Sequence, residues 1–241
     1  MANHKNMLRI AWFVLFLSLS LRPAAADDKG DQESVSTDLP KNLLVCILPM
    51  GKYDAYQMDK AVKGIAYFYG FHVEVLKEAQ LPDAAYYPPR KRYRAEKLLD
   101  YIDTIVLPKT SCKAIIGFTA VDISTTKDQF VDWGIFGLGS MNGTSAVVST
   151  YRLGRKTKSK KAVAIRTIKV VNHELGHVLG LPHCPTERCM MNDAKGTIKT
   201  VDKETGLLCE LCRKQLKDAY DITLPNIPSF DWEQVISDDP K

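Results

Sequence analysis

The stretch His173–Cys184, HELGHVLGLPHC, decides how the rest of the chain is read. The sequence holds 5 histidines, and three of them, His173, His177 and His183, fall within this stretch. On a helix, His173 and His177 lie four positions apart and share one face, so their imidazoles can grip one metal ion. Glu174 stands beside that face, able to reach a metal-bound water without being a ligand. Gly180 can take the left-handed conformation that ends a helix, and Pro182 keeps the helix from resuming. The turn between them brings His183 back toward the same ion.

His173, Glu174 and His177 form the H-E-x-x-H arrangement of zinc peptidases. Three neutral imidazoles leave a tetrahedral zinc one open position for water, which marks a catalytic rather than a structural site. Zinc lowers the pKa of its water to about 7 and stabilises the oxyanion that follows attack on a carbonyl. Glu174 takes the remaining proton as general base and passes it to the leaving amine. The plain alternative is a helix whose histidines only pack. Gly180 and His183 at these offsets argue against it.

The cysteines continue the pattern. Cys184 and Cys189 have four residues between them, and Cys209 and Cys212 form a C-x-x-C pair further on. Two short-spaced pairs across a longer loop match a structural four-thiolate zinc site. Since Cys184 adjoins His183, folding around a second ion would also fix the third ligand of the first.

H-E-x-x-H-x-x-G-x-x-H-C, then C-x-M and C-x-x-C at these separations, closely resembles the archaemetzincins. The resemblance spans about Lys41 to Ala219 and includes AYYPPRKRYRAEKLL and SAVVSTYRL upstream. It implies that His173, His177 and His183 ligate a catalytic zinc, with Glu174 as general base. It implies a second, structural zinc on Cys184, Cys189, Cys209 and Cys212, hence two zinc ions per chain. It makes Met191 the methionine of the turn beneath the catalytic metal, with Met190 as ordinary packing. The implied fold is metzincin-like: a twisted mixed sheet with two long helices in an N-terminal subdomain (41–180), ending in the active-site helix. A small C-terminal subdomain (181–223) carries the Met-turn and structural zinc. The implied substrates are short peptides, including aminopeptidase-like cleavage.

The upstream sequence agrees independently. NLLVCILPMG reads as a buried strand. YQMDKAVKGIAYFYG reads as a helix stopped by Gly70. FHVEVL reads as a strand, YRAEKLLDYIDTIV as a helix and KAIIGFTAVDI as one further strand. The order β-α-β-α-β indicates an α/β sheet packed by helices. The active-site helix is expected from about Arg166 to Gly180, and another helix near Leu207–Ala219. The edge strand that receives a peptide backbone is expected from Gly139–Ser149, with a tight loop as the alternative. Residues 224–241 read as a loosely docked tail. Asn142 begins an N-G-T triplet that fits a glycosylation acceptor, though chance explains it as well.

A basic start, an apolar run from Ile10 to Leu21 and small residues at Ala24 and Ala26 describe a secretory signal peptide over 1–26. The alternative is an uncleaved anchor. Residues 27–40 are polar and acidic, a flexible lead-in. The leader holds Lys5, Arg9 and Arg22 and no acid, so its loss lowers the formal charge by three, from +5 to +2. With so little net charge, Arg90–Arg94 and Arg155–Lys161 read as solvated surface rather than a nucleic-acid footprint. The expected partner is a peptide or protein substrate, with no nucleic acid and no stable membrane association after cleavage. A monomer is favoured, exported to a secreted or periplasmic location. In an oxidising compartment the four thiols need bound zinc or become two disulfides. Cys46 and Cys112 read as free core cysteines, with a bridge between them as the alternative.

Three functional classes fit: an active zinc peptidase, a zinc-holding binding module on a peptidase fold, and an enzyme kept latent by its own segment. Glu174 favours the first, because a binding module has no use for a base. The lead-in contains no cysteine to cap a catalytic zinc.

Overall fold

The apolar run ahead of Gly51 has no polar face because both of its faces are covered. The computed structural model describes residues 43–237. The leader assigned to 1–26 and the lead-in assigned to 27–40 lie outside that range. Strand β1 (Leu44–Pro49) leads to helix α1 (Ala55–Tyr69). The Asp54 side chain caps α1 by accepting the Gln57 N–H, and Gly70, at φ 72°, ends it. Strand β2 (His72–Val75) follows. After two short strands, β3 (Tyr86–Tyr87) and β4 (Arg92–Arg94), comes helix α2 (Ala95–Tyr101), prolonged by a π-helical turn to Val106. Five strands then run in succession: β5 (Ala114–Thr119), β6 (Ile123–Lys127), β7 (Phe130–Gly134), β8 (Gly137–Gly139) and β9 (Ser145–Ser149). Helices α3 (Lys160–Val178), α4 (Ile198–Lys203), α5 (Glu210–Tyr220) and α6 (Trp232–Ile236) complete the described chain.

The principal sheet has the order β2-β1-β5-β9-β8. Its first four strands are parallel, and β8 is antiparallel at the edge, with Gly137 opposite Val148 and Gly139 opposite Ala146. Alternation along the strands divides the core. Val45, Ile47, Ile116, Phe118, Ala146 and Val148 pack with Ile65 and Phe68 of α1 and Ile168, Val171 and Leu175 of α3. Cys46, Leu48, Ile115 and Val147 pack on the other side with Leu98 and Leu99 of α2. The expected mixed α/β sheet between helices is therefore present.

Several expectations need correction. KAIIGFTAVDI is not one continuous strand: β5 ends at Thr119, the chain turns, and Ile123 opens β6 in a second sheet ordered β3-β4-β6-β7. The edge strand is Gly137–Gly139. Ser145–Ser149 is interior, between β5 and β8, and the residues between them form a turn in which the Ser140 N–H donates to the Ser145 carbonyl. Helix α3 begins a turn and a half earlier than Arg166, since the Ser159 hydroxyl accepts the Ala162 N–H as an N-cap.

The basic run Arg90–Arg94 is not simply solvated. Arg92 donates to Asp122 at 2.8 Å and to Asp132 at 2.9 Å, and Asp122 also receives the Arg152 fork at 2.6 and 2.9 Å. This network joins the second sheet to the residues that follow β9. Cys46 and Cys112 are bridged, with Cα atoms 5.8 Å apart, because β1 and the start of β5 are neighbours. The C-terminal residues are not loosely docked: Leu224, Phe230, Val235 and Ile236 are buried in the main core, and Phe230 stacks on Trp232.

Candidate metal centre and active site

Helix α3 is buried along most of its last four turns, so the side chains it carries stand on a fixed axis. His173 and His177 stack edge to face with ring centres 4.7 Å apart. Beyond His177 the helix closes in a turn at Gly180, φ 79°. The Gly180 N–H donates to the His177 carbonyl and the Leu181 N–H to the Gly176 carbonyl, which satisfies two of the orphan acceptors at the helix end. A side chain at Gly180 would also collide with Asn142 Oδ1, 2.0 Å from an ideal Cβ. The turn brings the His183 ring to 4.8 Å from His177 and 5.4 Å from His173.

Each helical imidazole is oriented by backbone. His173 Nδ1 lies 2.7 Å from the Met190 carbonyl, and His177 Nδ1 lies 2.7 Å from the Leu181 carbonyl. A carbonyl can only accept, so Nδ1–H is the donor and Nε2 keeps its lone pair for a metal. Burial holds His173 far down, to about 3, with His177 and His183 adding to the depression and the Met190 carbonyl opposing it. Burial also lowers His177. Both rings are therefore neutral, as ligation requires. One nitrogen from each of the three histidines lies within 4.8 Å of the others, a spacing one ion can span. The sequence assigns Met190 to packing alone; its side chain is buried, but its carbonyl also orients the His173 imidazole.

Glu174 is 7% exposed, and burial pushes its carboxyl up to about 8, partly offset by the Gly139 backbone. It lies against the edge strand. A Cβ on Gly139 would meet the Glu174 carbonyl at 2.4 Å. Met191 is fully buried, and its Sδ would stand 2.6 Å from a Cβ on Gly176, so it fills the space beneath the helix between the two histidines.

Cys184, Cys189, Cys209 and Cys212 also converge, with all sulfurs within 4.8 Å of one another and no disulfide among them. Cys184 Sγ is 3.6 Å from Cys209 Sγ, and Cys189 Sγ is 3.9 Å from Cys212 Sγ. Tetrahedral thiolates about 2.3 Å from one ion stand about 3.8 Å apart, so the donor set fits zinc. Cys209 caps α5 and Cys212 lies in its first turn, where the helix dipole favours thiolate. The Cys209 N–H donates to Cys189 Sγ at 3.4 Å. The neighbouring Cys212 thiol and that amide hold Cys189 down to about 5. Asn192, unremarked in the sequence, donates to the Cys184 and Thr186 carbonyls, both at 2.7 Å, and so holds the loop between the first two cysteines. The Cys184 N–H donates to the Met191 carbonyl at 2.8 Å, tying the two centres together.

A cavity of about 530 Å³ opens over the three imidazoles and Glu174, walled on one side by β8.

The model of peptidase family M54 matches residues 46–218. The chain is 36% identical over 181 residues to an archaemetzincin of Haloquadratum walsbyi, covering 72% of this chain and 99% of that one. The crystal structure of archaemetzincin from Methanopyrus kandleri superposes with a TM-score of 0.65 at 27% identity, over 74% of this chain and 96% of the other. That of Archaeoglobus fulgidus, complexed with malonate, gives 0.61 at 25% identity, over 72% and 99%.

Proposed function

Because this chain belongs to peptidase family M54 and is a zinc metallopeptidase, we propose that His173, His177 and His183 hold its catalytic zinc and that Glu174 is its general base. The observation that carries this reading is the orientation of the helical imidazoles. Their Nδ1 atoms are engaged by the Met190 and Leu181 carbonyls, beside a buried glutamate. Bound there, zinc supplies a Lewis acid and an acidified water. Glu174 accepts a proton from the attacking water and delivers it to the leaving nitrogen. Its raised pKa suits both halves of that exchange. Strand β8 offers its free edge to the backbone of a peptide, which would lie antiparallel to it. Gly137 and Gly139 let that edge sit close to Glu174.

Cys184, Cys189, Cys209 and Cys212 hold a second, structural zinc, and Met191 forms the turn under the catalytic one. The small C-terminal subdomain is organised by these residues. Short peptides are the substrate class, with aminopeptidase-like cleavage among the activities to be tested. The signal-peptide pattern over 1–26 supports export, and the Cys46–Cys112 bridge is compatible with an oxidising compartment.

The test is a peptide-library cleavage assay on zinc-loaded protein beside Glu174→Gln. The variant is expected to keep its zinc and lose several orders of magnitude in rate, since only the proton acceptor is removed. Near-normal turnover by Glu174→Gln would sink the mechanism. Failure of the wild type to cleave any library peptide would favour a peptide-binding module instead.

A further inference from the structure

The cavity over the imidazoles extends past His173 into a recess lined by Phe136, Val170, Val201, Lys169 and Glu204. Its walls are largely apolar, yet it contains an acid. Glu204 is 7% exposed, and among the described residues neither of its carboxyl oxygens has a hydrogen-bond or ion-pair partner. An acid left without a partner in such a place costs stability.

The nearby Lys169 acts on the carboxyl only through charge at a distance, with no hydrogen bond to it. Lys169 lies one turn before His173 on α3. Its ammonium donates to the carbonyls of Val201 at 2.8 Å and Glu204 at 2.6 Å, with Asp202 at 3.5 Å. These acceptors end α4 and have no partners within it. All three ammonium donors are thus directed at backbone. Arg166 grips Asp202 with both arms of its fork, at 2.7 and 2.8 Å, and fixes α4 against α3. Lys127, at the rim, is paired with Asp193 at 3.5 Å, and Lys195 is exposed. The backbone at Glu204 is therefore fixed at the recess, while its carboxyl has no hydrogen-bond or ion-pair partner among the described residues.

The edge strand gives the recess a direction. Strand β8 runs from Gly137, against the Glu174 side chain, to Gly139, against His177. Phe136, just before it, lines the recess. A peptide antiparallel to β8 runs from the Gly139 end toward Phe136. The side chain that enters the recess then belongs to the residue following the scissile bond.

We propose that the recess selects peptides with lysine or arginine immediately after the scissile bond, and that Glu204 receives the cationic head. The apolar walls suit the methylene stem of such a side chain, and the carboxyl at the recess suits its head. Burial pushes Glu204 up to about 9 despite Lys169, with Cys189 and Glu174 adding to the rise. An entering cation supplies the direct, hydrogen-bonded partner that Lys169 does not, and the carboxyl proton leaves to solvent.

This inference rests on the peptidase reading, so its test has two arms. In the first, peptides differing only at the residue after the scissile bond are compared by kcat/KM. Wild type is expected to favour lysine over norleucine by about tenfold or more, the worth of one charge-assisted hydrogen bond. Glu204→Gln should bring that ratio toward one, as should acetylation of the substrate lysine against the unaltered protein. In the second arm, Glu174→Gln is titrated with the same peptides by fluorescence anisotropy, where none is consumed. Selective binding of the lysine peptide without any wild-type cleavage would leave the recess standing and remove the peptidase reading. Cleavage with no preference for lysine, or a preference unchanged in Glu204→Gln, would overturn the recess and spare the peptidase. Neither cleavage nor selective binding would overturn both.

Discussion

A Cβ on Gly137 would stand 2.6 Å from Cγ of Glu174. The edge strand and Glu174 are packed so closely that the absence of a side chain at one residue positions the side chain of the other. Gly137→Ala should displace the Glu174 side chain by about 1 Å, the shift needed to restore ordinary contact, without altering any of the three histidines. We expect kcat/KM to fall by about 100-fold, the cost typical of misplacing a reacting group by about 1 Å. Zinc content should be unchanged. Stopped assays with metal analysis on the same sample check this. Full activity in the variant would show that the two residues are not coupled.

Metal removal should proceed in two stages. A chelator is expected to empty the three-histidine site first and abolish hydrolysis while the circular dichroism spectrum persists. The four-thiolate site should empty only with loss of structure, because its ion also contributes folding free energy. Cys209→Ser should lower the melting temperature and reduce activity as a consequence. Native mass spectrometry is expected to find two zinc ions per chain. One zinc per chain with all four of these cysteines in disulfides would contradict the prediction.

The Cys46–Cys112 bridge closes a separation of 66 residues. In the chain-entropy account a loop of this size contributes about 4 kcal/mol. Replacing both cysteines by alanine should cost about 2–4 kcal/mol in urea unfolding, with zinc content retained. Alkylation of zinc-free, unreduced, denatured protein should label four cysteines. Labelling of all six would rule the bridge out.

Stability should fall as pH rises through the neutral range because of Glu204. Its folded value, about 9, lies above the ordinary 4.5. Between these values the folded chain holds a proton that the unfolded chain releases, so each rise in pH favours unfolding. The contribution is fully present below about 4.5 and is lost as pH climbs toward about 9. Lys169, Glu174 and Cys189 face the same group, so the comparison must be against Glu204→Gln. The variant should be increasingly more stable than wild type as pH rises from 5 to about 9, the folded value. Parallel denaturation midpoints across that range would refute this.

What could be read from the sequence divides along physical lines. The two side-chain clusters were legible because coordination imposes spacing: His173 and His177 one turn apart, Gly180 to turn the chain, Cys209 and Cys212 at a helix start. The buried strand around Ile47 was legible from its continuous apolar run. Sheet β3-β4-β6-β7 was not, because strands of two to five residues carry too little pattern. The hairpin turn at Asp128, φ 51°, between Lys127 and Phe130 was its one local signal. The Cys46–Cys112 pairing depends on strand adjacency, which no spacing encodes. Glu204 and Asn192 gave no signal either, because their roles come from where α4 and the Met190–Asn192 turn are docked. The tail misled because its polar residues outnumber Phe230, Val235 and Ile236, the residues that bury it.

His183 and Cys184 are joined by a single peptide bond, and the next residue to be held is already in the second centre. On the two-zinc reading the consequence is logical rather than geometric: the protein would behave as an AND gate for zinc. A chain that has not captured the thiolate ion would lack the tether that holds its third imidazole, and activity would require two loading events in a fixed order. Because the thiolate ion is the more firmly held of the two, refolding from the unfolded, zinc-free chain should regain activity only after that ion is captured, whereas a folded chain stripped of the histidine-bound ion should regain it in one step.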